Sequence, residues 1–172
     1  MVSADPEICI ASAGLVVPGV GAYGACMEQL IAAGGQRIIQ ARVEQNRPIL
    51  GICVGMQVLF TAGTEKGGHE GLGIFAGEVS EIAAPVVPHI GWNNVRSDNS
   101  SLLFQGLQGE SFYFVHSFAA KSAVAGASNS WCNYGEDFVA AVELGPVSAV
   151  QFHPEKSGAV GAKLIANWVR AL

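Results

Sequence analysis

Between Pro48 and Phe60 the chain reads Pro-Ile-Leu-Gly-Ile-Cys-Val-Gly-Met-Gln-Val-Leu-Phe. An apolar strand runs into Gly51-Ile52-Cys53-Val54-Gly55 and then into a helical stretch, which is the sequence form of a nucleophile elbow with a thiol in place of the hydroxyl of serine hydrolases. The two glycines let the backbone turn sharply and leave Cys53 at the helix N-terminus. Orphan N–H groups and the helix dipole at that place are expected to favour a thiolate and any oxyanion formed beside it.

A thiol nucleophile needs a base, and the base needs an orienting acid. The segment Val147 to Glu155, Val-Ser-Ala-Val-Gln-Phe-His-Pro-Glu, offers both. In an extended chain alternate residues point the same way, so His153 and Glu155 project from one face. Pro154 between them fixes its own φ and disfavours helix at His153. A lone histidine at a strand end is more often structural, but the elbow and Glu155 together move the reading to catalysis. An oxyanion then needs donors: the N–H of Val54, next to the nucleophile, and a second from the turn Pro18-Gly19-Val20-Gly21. On spacing alone that turn reads equally as a plain strand-to-helix connection.

The elements that must position these groups alternate between strand and helix. Asp5-Pro6-Glu7 reads as a helix start, with Asp5 as cap. Leu15-Val16-Val17 is a short buried strand, followed by helical segments around 25–33 and 36–45. The elbow strand comes next, with a helix expected over about 54–62. A Gly-rich loop over 63–73 contains Glu65, Lys66, His69 and Glu70. Strand-like runs at 78–82, 86–90 and 111–118 suggest an antiparallel addition to a parallel sheet. Residues 138–143 and 147–152 form a hairpin around Leu144-Gly145-Pro146. Leu164, Ile165, Trp168, Val169 and Leu172 recur at helical spacing and mark a C-terminal helix packed on the core. With no internal repeat, linker or low-complexity segment, residues 1–172 read as one α/β domain.

Composition narrows the function classes. Half of the 172 residues are hydrophobic and 13% are charged, so the chain is foldable rather than disordered. A net charge of -5 and the lack of any basic cluster argue against a nucleic-acid surface. Apolar runs are broken by Gly or Pro short of a membrane span, and the first residues lack the pattern of a signal peptide. Cys9, Cys26, Cys53 and Cys132 are too scattered for a zinc site or a disulfide scaffold and suit a reducing cytoplasm. Cys9, Cys26 and Cys132 read as small core residues, Trp131 and Tyr134 as packing, and His69 as a solvated loop side chain.

The elbow together with Gln151-Phe152-His153-Pro154-Glu155 resembles the class I glutamine amidotransferases, over roughly residues 5–172. Pro18–Gly21, Pro88-His89-Ile90-Gly91-Trp92-Asn93, Tyr113-Phe114-Val115-His116-Ser117 and Pro154–Gly158 are similar to the glutaminase that serves histidine biosynthesis within that family. The resemblance implies a flavodoxin-like, mostly parallel sheet with helices on both faces and an antiparallel addition. It implies that Cys53 attacks the carboxamide of glutamine, that His153 is base and then acid, and that Glu155 orients it. Val54 and a rearranged Gly19–Val20–Gly21 loop would hold the oxyanion. Gly55 and Gln57 are similar to glutamine-holding positions, with Glu65 and the backbone around His116 and Ser117 as further candidates. Ammonia would pass to a TIM-barrel cyclase subunit across a surface bearing His89, Trp92, Tyr113 and Lys156. The resemblance implies no metal or organic cofactor. Alternatives are the glutaminase of another amidotransferase, such as one serving pyridoxal phosphate synthesis, or a non-catalytic remnant that only binds a partner.

The chain departs from the family at its start. Members open with a strand-helix-strand unit whose first strand ends in a motif like Asp-Tyr-Gly-x-Gly-Asn, and no such segment is present. The domain is therefore expected to be incomplete at its N-terminus, through a start assigned downstream or a true truncation. Either way an open sheet edge and exposed apolar surface are expected.

Overall fold

A computed structural model describes residues Met1–Leu172. The elements run α1 (Pro6–Ala11), β1 (Leu15–Gly19), α2 (Tyr23–Ala32), α3 (Gly35–Glu44), β2 (Ile49–Cys53), α4 (Val54–Gln57), β3 (Phe60–Gly63), β4 (His69–Glu70) and β5 (Phe75–Glu81). They continue with β6 (His89–Asn94), β7 (Ser111–His116), β8 (Phe118–Ala120), β9 (Ser128–Tyr134), β10 (Glu136–Leu144), β11 (Val147–Val150) and α5 (Gly158–Arg170). Asp5 caps α1 as its sequence implies, its Oδ1 accepting from the N–H groups of Glu7 and Ile8 at 2.9 and 3.1 Å.

The main sheet has the order β1-β2-β11-β10-β9. β1, β2 and β11 are parallel, and β10 and β9 extend them antiparallel. β2 sits between two parallel neighbours and is buried at every position, which is why Ile49 to Cys53 shows no alternation of apolar and polar residues. Ile49 and Leu50 are fully buried there, each worth roughly 1.5–3 kcal/mol. The β10–β11 hairpin falls where the turn residues place it. β4-β3-β5-β8 form a second sheet and β6-β7 an antiparallel pair.

β1 has β2 as its only neighbour and exposes Val16. An apolar groove lined by Leu15, Val16, Val17, Leu30, Ile38 and Ile39 runs beside it, so the expected open edge and apolar surface are both present. The adjoining corner is tied by the buried guanidinium of Arg42. It donates to the carbonyls of Cys9, Ile10, Ser12 and Pro48 at 2.7 to 3.0 Å. Arg47 adds a bond to Ala11 at 2.7 Å, so two cations close the C-terminal end of α1.

The structure departs from the sequence reading in three places. The helix expected over 54–62 ends after one turn, and Phe60 to Gly63 becomes β3. Every residue from Val54 to Phe60 is buried, so there is no polar face for a surface helix. The chain instead joins β5 in parallel, with the Phe60 ring 5.3 Å from Phe75. β6 begins at His89 rather than at 86, leaving Val86 and Val87 exposed in a loop. β9, unassigned in the sequence, is held by its long ladder to β10 despite its polar run Ser128-Asn129-Ser130.

Candidate active site

Cys53 is the last residue of β2 and adopts φ 56° and ψ -117°, a conformation that costs a non-glycine residue energy and turns the thiol off the sheet. The strain is held by close packing on both sides. A Cβ on Gly55 would lie 1.9 Å from the carbonyl oxygen of Val17, and one on Gly19 would lie 2.5 Å from the amide nitrogen of Gly55. The glycines of the elbow thus let β1 and the turn into α4 touch backbone to backbone.

Cys53 opens into a cavity of about 240 Å³. Val20, Gly21, Val54, Gln57, Glu65, His116, Ser117, His153 and Lys156 share its lining, so most of the residues singled out from the sequence meet here. Gly19 and Gly55 are not on its wall; they are the contacts that hold the elbow against β1. Glu65 lies across the cavity, where its Oε2 accepts from the N–H of Tyr23 at 2.7 Å and closes the start of α2.

His153 and Glu155 do pair, but not on a strand. β11 ends at Val150, and Pro154 to Lys156 form a turn of 3-10 helix with proline at its first position. In that turn His153 Nδ1 lies 2.8 Å from Glu155 Oε1. A carboxylate can only accept, so Nδ1 carries the proton and Nε2 keeps its lone pair for the cavity. The backbone is clamped as well. His153 donates its N–H to Tyr113 O at 2.9 Å, and Ser157 Oγ donates to His153 O at 2.7 Å. Ser157 Oγ also accepts from Tyr113 N–H at 3.0 Å.

The resting nucleophile is a thiol rather than a thiolate. Burial pushes Cys53 up to about 11, outweighing the Val54 N–H and Lys156, while Glu155 and Cys26 push the same way as burial. The helix that was to favour the anion is only one turn long, so its dipole is correspondingly small. The S–H points at the carbonyl of Val115, 3.8 Å away.

His89 is corrected from an interface residue to a core residue. It is 2% exposed, stacks on Tyr134 at 4.0 Å, and faces His116 Nε2 through Nδ1 at 3.1 Å. Its neighbours Phe114, His116, Tyr134 and Phe138 come from three other strands. Trp92 and Lys156 are exposed, and Tyr113 stands edge-on to Trp92 at 6.1 Å. Ile90 adds a further exposed side chain on β6. His69, read as solvated, stacks instead on the Tyr23 ring at 6.3 Å.

Burial holds His89 down to about 4 and His116, also beside His89, down to about 3, against an ordinary 6.5. In the unfolded chain both bind protons near pH 6.5. Between these values the unfolded state holds more protons, so stability falls as pH drops below 6.5 toward 4 and 3. The loss is roughly 1.4 kcal/mol per pH unit for each histidine. Thermal melts are expected to show a midpoint falling steadily from pH 7 to pH 5; a flat profile would contradict the neutral buried pair.

Sequence reasoning passed over Gln151, Val115, Phe118 and Ser157. Gln151 carried a usable signal, being a polar residue in the otherwise apolar run at the end of β11. The three others act through backbone or cap contacts that only the folded chain reveals.

The family described as glutamine amidotransferase class-I matches residues 4–172. A Leifsonia xyli subsp. xyli protein, imidazole glycerol phosphate synthase subunit HisH, is 53% identical over 167 residues, covering 92% of this chain and 80% of that one. The protein of the same name from Nocardia farcinica is 50% identical over 180 residues, with 99% and 85% covered. A crystal structure of a glutamine amidotransferase aligns with a TM-score of 0.75 at 19% identity, covering 98% of this chain and 83% of that one, a likeness of fold. No helix in the chain is long and apolar enough to cross a membrane.

Proposed function

The chain belongs to the class I glutamine amidotransferase family, and from that premise we propose that it is the glutaminase subunit of an imidazole glycerol phosphate synthase in histidine biosynthesis. The observation that carries the chemistry is the convergence, in one cavity, of a strained Cys53 and a His153 oriented by Glu155.

Glutamine enters with its side-chain carboxamide against Cys53. The S–H proton passes to His153 Nε2 as sulfur attacks the carbonyl carbon. Val54 N–H, joined by a peptide of the Gly19–Val20–Gly21 turn, takes the oxyanion. His153 then gives its proton to the departing ammonia, leaving a γ-glutamyl thioester. Water, deprotonated by the same nitrogen, releases glutamate. Gln57, Glu65 and the backbone at His116 and Ser117 hold the rest of the substrate. Glu155 stabilises the imidazolium while the proton is in transit.

A free site with a buried neutral thiol is slow, which suits a subunit that works only with its partner. The exposed Trp92, with Ile90, Tyr113 and Lys156, is the surface proposed to meet a TIM-barrel cyclase, which turns the ammonia into imidazole glycerol phosphate and aminoimidazole carboxamide ribotide. Aromatic side chains bury large area at low entropic cost at such contacts. Residues 1–172 serve in this reading as one glutaminase domain, working in the cytoplasm, without metal or organic cofactor, nucleic acid or membrane.

The test is reconstitution with the cognate cyclase subunit. Glutamate release from glutamine is expected to rise on adding the cyclase and its substrate, with one glutamate formed per imidazole glycerol phosphate. Release that ignores the cyclase, or none at all from the folded complex, would refute the assignment.

A further inference from the structure

Behind Cys53 lies a chain of buried amides whose direction is fixed by groups that can only accept. The carbonyl of Phe118 receives Gln57 Nε2 at 2.8 Å and His116 Nδ1 at 3.0 Å. The second hydrogen of Gln57 Nε2 goes to Gln151 Oε1 at 3.0 Å. Gln151 must therefore turn its Nε2 toward Cys53 Sγ, 3.9 Å away. On the other side of the sulfur the Val115 carbonyl, also only an acceptor, takes the thiol proton. The sulfur is thus held between one acceptor and one donor. Both glutamines are almost wholly buried, Gln57 at 5% and Gln151 at 1% exposure.

The two contacts respond oppositely to loss of the proton. The Val115 carbonyl then faces a negative sulfur and repels it, whereas the Gln151 N–H becomes a charge-assisted donor, about twice as strong as a neutral one. We propose that Gln151 is a positioning residue for the nucleophile, locked by Gln57 so that its N–H fixes Cys53 Sγ and favours the anion that attacks the substrate. Gln57 has a double part in this arrangement. Both hydrogens of its Nε2 are committed inward, which leaves its Oε1 as the only acceptor its amide can offer to glutamine.

The proposal rests on Cys53 being the nucleophile, and its test separates the two. The charged or titratable groups that bear on the sulfur are His153, Glu155, Lys156 and Cys26, with Glu65 and His116 on the cavity wall. They stay unchanged in Gln151→Leu and Gln151→Glu. Two readouts apply: the pH dependence of Cys53 alkylation by iodoacetamide, and kcat and KM for glutamine in complex with the cyclase. In Gln151→Leu the alkylation midpoint is expected to rise by about one pH unit, with kcat down about tenfold or more and KM changed less than about twofold. Gln151→Glu keeps the shape and reports even where leucine costs stability; its carboxylate is expected to move the midpoint further up. Unchanged midpoints and kcat in either folded variant, with Cys53→Ala inactive, would overturn the role of Gln151. An active Cys53→Ala would instead overturn the nucleophile itself.

Discussion

Cys53→Ala is expected to lower cyclase-stimulated glutamate release by about 10⁴-fold or more while leaving the protein folded. The size follows from the unit nature of the site. Without the sulfur no thioester forms, and His153, Glu155 and the oxyanion donors can assist only direct attack by water. The fold should hold because alanine is smaller and no group depends on the thiol alone: Val115 O and Gln151 Nε2 make only long contacts to it, at 3.8 and 3.9 Å. The positive φ of Cys53 persists in alanine, so the strain of the elbow is neither added nor relieved. Steady-state glutamate assays beside a thermal melt check both halves. Retained activity would move the chemistry elsewhere in the cavity.

Gly55→Ala is expected to destabilise the protein by roughly 3 kcal/mol, or about 10 °C in melting temperature, and to abolish activity with it. A methyl group there would sit 1.9 Å from Val17 O, 2.8 Å from Val17 C and 3.1 Å from Pro18 C. All three are backbone atoms of β1, so no side chain can rotate away. The turn after Cys53 must lift off β1, and the Gly19–Val20–Gly21 segment moves with it. Gly109 provides the contrast. Its φ of 73° faces open space, so Gly109→Ala should cost only the left-handed backbone penalty of about 1–2 kcal/mol, without loss of activity. Equal effects from the two substitutions would show that the elbow is not packed as described.

Much of this was legible in the sequence, and the exceptions are instructive. The strand-elbow transition, the Asp5 cap, the β10–β11 hairpin and the C-terminal helix all carry local signals: glycine spacing, a capping carboxylate, turn residues, helical periodicity. The pairing of His153 with Glu155 was legible too, although its geometry is a proline-led turn rather than a strand face. The short α4 was not. Seven successive buried residues have no period to read, and only the pairing of β3 with β5 decides between helix and strand. His89 was misplaced because its burial is built from Phe114, Tyr134 and Phe138, far along the chain. The thiol state of Cys53 likewise depends on the burial of a finished fold, which outweighs the local N–H of Val54.

The central claim is that glutamine is opened through a covalent bond to one sulfur. It is tested most directly by acid-quenching the chain and its cyclase partner during turnover of glutamine and weighing the intact chain. A gain of one glutamyl group, mapped to Cys53 and lost in Cys53→Ala, is the predicted result. A chain of unchanged mass during rapid glutamate release, or a glutamyl group on another residue, would contradict it.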